Sequence, residues 1–213
     1  MLKTDGQNRL VFCTDSTIEL AELIKGLSEI KFIGKPVFAA EQEDTQNSYE
    51  FCVGDAFLSS VTFMGCSPYI ELEPPKTLKP NEKADFCFIR VSKSKNENII
   101  YHAEQLSELK TVPRCNQCRK VISNWNEQIQ SIESASNSMK LTCPNCAVVL
   151  TSKDLDWRKV SGVGNIFVEV LNVYLQEGVP TDPFLQQLKE ISSSEWQYFY
   201  TSSNIKTKLL DRI

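Results

Sequence analysis

Cys115 and Cys118 form one C-x-x-C element and Cys143 and Cys146 form a second, with 24 residues between them. This pattern constrains the chain more than anything else in it. Two thiols three positions apart on a tight turn can face a common hollow, and two such turns supply four sulfurs at the corners of a tetrahedron. That is the coordination zinc prefers, with Zn–S distances of about 2.3 Å. Pro144 stiffens the second turn. Two disulfides at these positions would require an oxidising compartment. A thioredoxin-like dithiol uses one pair rather than two, and iron–sulfur clusters use more compact or asymmetric spacings. The expectation is one zinc ion held by Cys115, Cys118, Cys143 and Cys146. Four thiolates close the coordination shell and leave no position for a reactive water, so the metal is expected to be structural.

The surroundings of the two pairs resemble a zinc ribbon, a small β module with this four-cysteine arrangement. The resemblance covers 112–157, about a fifth of the chain. It implies a strand over 120–125 leaving the first knuckle, a polar hairpin loop over 126–139, entry to the second knuckle at Leu141 and Thr142, and a strand over 147–150 leaving it. Ribbons often carry glycine just after each knuckle, where left-handed backbone is useful; Arg119 and Ala147 stand there instead. In small zinc modules metal binding supplies on the order of 10–16 kcal/mol of folding energy. A segment this short with few large apolar side chains needs such a clamp. The division that follows is a first part of an α+β domain over 1–111, a ribbon insert over 112–157, and the second part of the domain over 158–213.

Cys13, Cys52, Cys66 and Cys87 lie singly in apolar surroundings and are expected to be buried thiols. No run of 18 apolar residues occurs, so no membrane span is expected. The N-terminal stretch lacks an apolar core of signal-peptide length, which makes cytoplasmic the default address. The net charge of −4 is uneven: 111–160 carries 7 Lys and Arg against 4 Asp and Glu, while the parts on either side are acidic. An excess of three positive charges is only a faint signal of polyanion binding, since nucleic-acid modules show a denser basic face.

Outside the ribbon the patterns alternate between strand and helix. Strands are expected over 9–13, 35–40, 49–53, 57–64, 69–72, 86–91 and 196–200. A helix is expected over 17–30, opened by a capping box of Ser16 and Glu19, and a short one over 103–109. The polar stretch 41–48 reads as a loop, and 73–82, with three prolines, as an extended connection. Asp182 and Pro183 open a last helix as N-cap and first helical residue, with Phe184, Leu185, Leu188 and Ile191 on its apolar face. The stretch 165–175 is ambiguous. Its β-branched and aromatic content and flanking glycines favour a strand, whereas Asn165, Glu169, Asn172 and Gln176 recur at helical spacing. Thr14 to Thr17 and Thr181 to Phe184 both open a helix after a strand, an echo consistent with two strand–helix–strand units around a central insert. The fold class is α+β, a mainly antiparallel sheet with helices on one face, carrying the inserted ribbon.

Other chemistry is thin. Cys66 and His102, the single histidine, could form a nucleophile and base only if the fold joins them. Ser16 and Ser67 lack a nucleophile elbow. Gly162 and Gly164 lack the rest of a phosphate loop and read as a loop leaving the ribbon. Glu71 with Glu73, and Asp154 with Asp156, read as solvated pairs. Arg114, Arg119, Lys120, Trp125, Trp157, Arg158 and Lys159 could bind phosphates and stack on bases, or pack the ribbon onto the rest of the chain with Trp157 at the seam. Packing is favoured. The function expected is therefore a non-enzymatic structural and protein-interaction module with another protein as partner. A nucleic-acid-binding protein using the basic face is the alternative, and an enzyme with its site in the α+β part the second.

Overall fold

The computed structural model describes residues 7–38, 47–63, 70–79, 82–94, 99–102, 112–123, 140–151 and 154–202. Its centre is a six-stranded sheet made by β1 (Asn8–Thr14), β2 (Ile33–Pro36), β3 (Ser48–Val53), β5 (Phe88–Lys93), β12 (Ile166–Leu171) and β14 (Gln197–Ser202). In space the order is β14-β1-β12-β5-β3-β2, and every pairing is antiparallel. Helices α1 (Leu20–Glu29) and α3 (Asp182–Ser192) cover one face. The α+β expectation, antiparallel sheet with helices on one face, is what the structure has.

All six residues of β12 and six of the seven in β1 are buried. Strands covered on both faces show no apolar–polar alternation, which is why 165–175 is hard to read from sequence. Leu10, Phe12, Val168 and Val170 face the helices, where the Phe184 ring stacks on Phe32 at 4.2 Å. Val11, Cys13, Phe167 and Phe199 form a second cluster on the opposite face. The polar residues that suggested a helix each do separate work. Asn165 bonds both backbone groups of Ser16, Glu169 pairs with Arg9 at 2.7 Å, and Asn172, with φ of 61°, donates to Ala84 O and Phe86 O. Gln176 sits in a turn with φ of 65°. The strand reading holds for Ile166–Leu171, and the chain leaves the sheet at Asn172.

Several local expectations change. The segment 57–64 is not one strand: α2 (Phe57–Ser60) is a single helical turn, because Ser60 N bonds Ala56 O, and only β4 (Val61–Phe63) follows. Ile70 to Leu72 form no ladder, although Glu71 O accepts from Cys87 N. The strand expected over 35–40 lies earlier, as β2. The capping box is absent. Glu19 is the N-cap of α1 without a side-chain capping bond, its carboxylate accepting from Lys93 Nζ instead, and Ser16 Oγ accepts from Ile18 N and donates to Ser192 O. Thr181 rather than Asp182 caps α3, accepting from Phe184 N. Gly26 lets the two helices approach, since a Cβ there would lie 2.6 Å from Ile191 Cγ2.

Gly162 and Gly164 belong to a strand, β11 (Ser161–Gly164), paired with β6 (Ile99–His102). β11 lies against the sheet face opposite the helices: a Cβ on Gly162 would meet Cys13 Sγ at 2.6 Å and the Phe199 ring at 2.8 Å. Close approach, rather than loop flexibility, selects glycine there. β13 (Gly178–Pro180) pairs with β4. Across the sheet, Arg9, Glu169, Arg90 and Glu50 lie on four successive strands, all buried. Glu169 is opposite Arg90, and Arg90 bonds Glu50 at 2.7 Å. No described helix is long and apolar enough to cross a membrane.

Candidate metal centre

β5 and β12 are adjacent antiparallel strands, and Ser94 N donates to Asn165 O at 2.7 Å where they end. The chain between them leaves the sheet and returns to the same place, and the four cysteines lie on that excursion. β7 (Arg114–Cys115) pairs with β10 (Leu155–Asp156), and β8 (Lys140–Thr142) pairs with β9 (Val149–Thr151). Their apolar side chains make a core of their own: Ile122, Leu141, Leu150, Leu155 and Trp157 pack with Cys115, Cys143 and Val163. Val163 comes from β11, so this small core abuts the layer on the large sheet.

The two knuckles are built alike, bond for bond. Cys115 N donates to Lys120 O and Arg119 N to Cys115 O; Cys143 N donates to Val148 O and Ala147 N to Cys143 O, all at 2.9 Å. Arg114 pairs with Val121 as Thr142 pairs with Val149. Val121 and Val149 are exposed, and Ile122 and Leu150 after them are buried. Arg119 has φ of 57° and Ala147 of 56°. Both occupy the left-handed region that glycine would favour, so the departure from the ribbon pattern at these positions changes the side chain and not the backbone. This repeat was readable in the sequence as a common order of cysteine spacing followed by Val-Ile or Val-Leu, but it was not part of the expectation above.

The turns bring the four Sγ atoms together, all within 4.8 Å of one another. Cys115 and Cys146 stand 3.8 Å apart, and Cys118 and Cys143 3.7 Å. None of the four is in a disulfide. Cys115 and Cys143 are buried, Cys118 is half-buried and Cys146 exposed. Proximity makes the sulfurs interdependent. Against burial, which raises it, the N–H groups of Asn145 and Cys146 and the thiols of Cys146 and Cys118 bring the Cys143 pKa down to about 6. At Cys146 the Val148 N–H lowers the value, but desolvation and the sulfurs of Cys143, Cys118 and Cys115 push it up to about 12. Four sulfurs this close repel one another as thiolates until a cation joins them. The cluster could hold a metal ion.

No protein-family model, no curated protein and no solved structure matches this chain.

Among the described residues the remaining candidates do not assemble into a second site. Cys13, Cys52 and Cys87 are free and buried. Burial pushes the Cys13 thiol up to about 12, and raises Cys52 and Cys87 as well. Such thiols are inert. Cys66, Ser67, Trp125, the helix over 103–109, the loop over 126–139 and most of the loop over 41–48 lie outside the described residues, as does the His102 side chain. The strand expected over 120–125 reduces, within the described residues, to the single bridge at Val121. Glu71 accepts from its neighbour Glu73 N; Asp154 accepts from Thr151 N and Oγ1, and Asp156 from Arg158 N. Each of these three carboxylates serves a local turn. Trp157 is in the small core, and Lys159 lies over the Tyr198 ring. Two open clefts, of about 290 and 530 Å³, are lined in part by Glu71, Lys83 and Asp85, and by Lys31, Lys35 and Asp55. Neither reaches Cys115, Cys118, Cys143 or Cys146.

Proposed function

We propose that Cys115, Cys118, Cys143 and Cys146 hold one structural Zn2+ and that the protein is a non-enzymatic interaction module organised by that centre. The observation that carries this is the sulfur geometry. Zn–S bonds of about 2.3 Å set tetrahedral S···S edges at about 3.8 Å; Cys115 and Cys146 stand at 3.8 Å, Cys118 and Cys143 at 3.7 Å, and all four sulfurs lie within 4.8 Å of one another. A 2Fe–2S or 4Fe–4S cluster spreads four cysteine ligands over two or four irons, which sets the sulfurs on different irons farther apart than the 4.8 Å within which all four lie here. With every corner a thiolate, zinc would supply folding energy to 112–157 rather than activate a water. Exposed Val121 and Val149 on the knuckle hairpins suit contact with another protein.

Nucleic-acid binding is the second reading, favoured by exposed Arg119, Lys120 and Arg158. Two facts weigh against it. Trp157 is buried in the small core and offers no stacking face. Four thiolates around one divalent ion leave about two net negative charges, which offsets most of the excess of 7 basic over 4 acidic residues in 111–160. Metal analysis of the purified protein tests the first claim: one zinc per chain is expected, and iron absorbance or substoichiometric metal overturns it. A pull-down from native lysate, with Cys143→Ser beside the parent chain, tests the second. Protein partners lost with the variant are expected; nuclease-sensitive, steeply salt-dependent capture would favour nucleic acid instead.

A further inference from the structure

The four sulfurs differ in what surrounds them, and that difference has chemical consequences. Cys146 alone among them is exposed; Cys115 and Cys143 are buried and Cys118 is half-buried. Two sulfur–sulfur contacts run between the knuckles, from Cys115 to Cys146 at 3.8 Å and from Cys118 to Cys143 at 3.7 Å. An oxidant arriving from solvent therefore meets Cys146 first, and Cys115, 31 residues away on the other hairpin, is within reach to trap the oxidised sulfur.

We propose that the centre is a peroxide-sensitive staple in which Cys146 is the point of attack and the product is a Cys115–Cys146 disulfide with release of the metal. The step rests on the zinc reading above. Cys146 Sγ, as thiolate, attacks one oxygen of hydrogen peroxide; the O–O bond breaks, leaving Cys146 as sulfenic acid and expelling hydroxide. Cys115 Sγ then attacks the Cys146 sulfur, the S–O bond breaks and a second hydroxide leaves. Two thiolates lose two electrons to one peroxide, giving one disulfide and two hydroxides. Two of the four ligands are consumed, and the remaining pair cannot close a tetrahedral site. The sulfurs must approach from 3.8 Å to about 2.05 Å.

The position of the new bond matters. A disulfide within either C-x-x-C element would leave the knuckles unconnected once the metal has gone. A bond from Cys115 to Cys146 ties Ile122 of one hairpin to Leu141 and Leu150 of the other, the residues that form the small core. Oxidation would exchange a metal cross-link for a covalent one and keep the hairpins together.

The test uses the full-length zinc-loaded chain. Metal release under about a tenfold excess of hydrogen peroxide is followed with a chromogenic chelator, and disulfides are mapped by mass spectrometry of non-reduced peptides. One equivalent of zinc should leave as the Cys115–Cys146 linked peptide forms. Cys146→His and Cys118→His each keep a four-ligand site of three cysteines and one histidine. The first should retain zinc and release it at least tenfold more slowly, the second at close to the parent rate. Release with only a Cys143–Cys146 link, equal slowing in both variants, or retention of zinc in the parent would each overturn the proposal. A chain that purifies without zinc would instead overturn the metal reading beneath it.

Discussion

At the scale of single residues, the most informative positions are Arg119 and Ala147. The turn that presents each pair of cysteines needs a left-handed residue just after it, and the chain supplies two that are not glycine, with φ of 57° and 56°. A left-handed L-residue costs roughly 1–2 kcal/mol; glycine removes that cost but gives up part of the gain because its unfolded chain has more freedom to lose. Ala147→Gly should therefore stabilise the small core by up to about 1 kcal/mol, seen as a higher chelator concentration needed to strip half the metal. Arg119→Gly should act in the same direction. A lower midpoint for Ala147→Gly would show that the strain argument is wrong. The four cysteines of the candidate site were legible from spacing alone, because two thiols three apart have few other uses. The asymmetry among them was not: exposed Cys146 and buried Cys143 share one motif, and only the packing of Leu141, Leu150 and Trp157 separates them.

At the scale of elements, the sequence is read well where one face of an element meets solvent and poorly where both faces are covered. α1 and α3 show their buried stripes, Leu20, Leu23 and Leu27, then Phe184 and Leu188. β12 shows none, and its one charged residue is misleading until its partner is known. Glu169 lies between Arg9 and Arg90 on neighbouring strands, and its carboxylate bonds Arg9 at 2.7 Å with both side chains buried. Removing one member of a buried ion pair typically costs about 3–5 kcal/mol. Glu169→Ala is expected to fall in that range in urea unfolding, with Glu169→Gln losing less because its amide oxygen still accepts. A cost below about 1 kcal/mol for the alanine variant, as for an exposed pair, would mean that water reaches the guanidinium. β11 poses a steric question instead. Gly162→Ala puts a methyl 2.6 Å from Cys13 Sγ and 2.8 Å from Phe199, an overpacking that should cost about 1–3 kcal/mol. The double variant with Cys13→Ala should recover part of the loss, because it removes the nearer obstacle; an additive double would place the clash elsewhere.

At the scale of the molecule, the cluster beneath the helices and the cluster around the metal centre are the two whose independence the topology sets. The large core contains Phe12, Phe32, Val168 and Phe184, the small one Cys115 and Cys143 with Ile122, Leu150 and Trp157. The excursion that carries the small core departs and returns between adjacent strands, its ends joined by the bond from Ser94 N to Asn165 O. The register of β5 against β12, Lys93 opposite Ile166 through Phe88 opposite Leu171, does not depend on how the excursion folds. Stripping the metal should therefore unfold part of the chain rather than all of it. In hydrogen exchange, amides of Cys115, Arg119, Cys143 and Ala147 should lose protection while those of β1 and β12 keep theirs. Trp157 should shift to the red as its core opens, whereas Trp196, whose indole N–H bonds Leu188 O and Ser192 Oγ, should stay in place. β11 is the element to watch, because Val163 belongs to the small core and Gly162 seats against the large sheet. If β11 keeps its protection without metal, opening of the small core stops at that strand. If it loses protection together with β1 and β14, the two cores are one cooperative unit and the centre stabilises the whole protein.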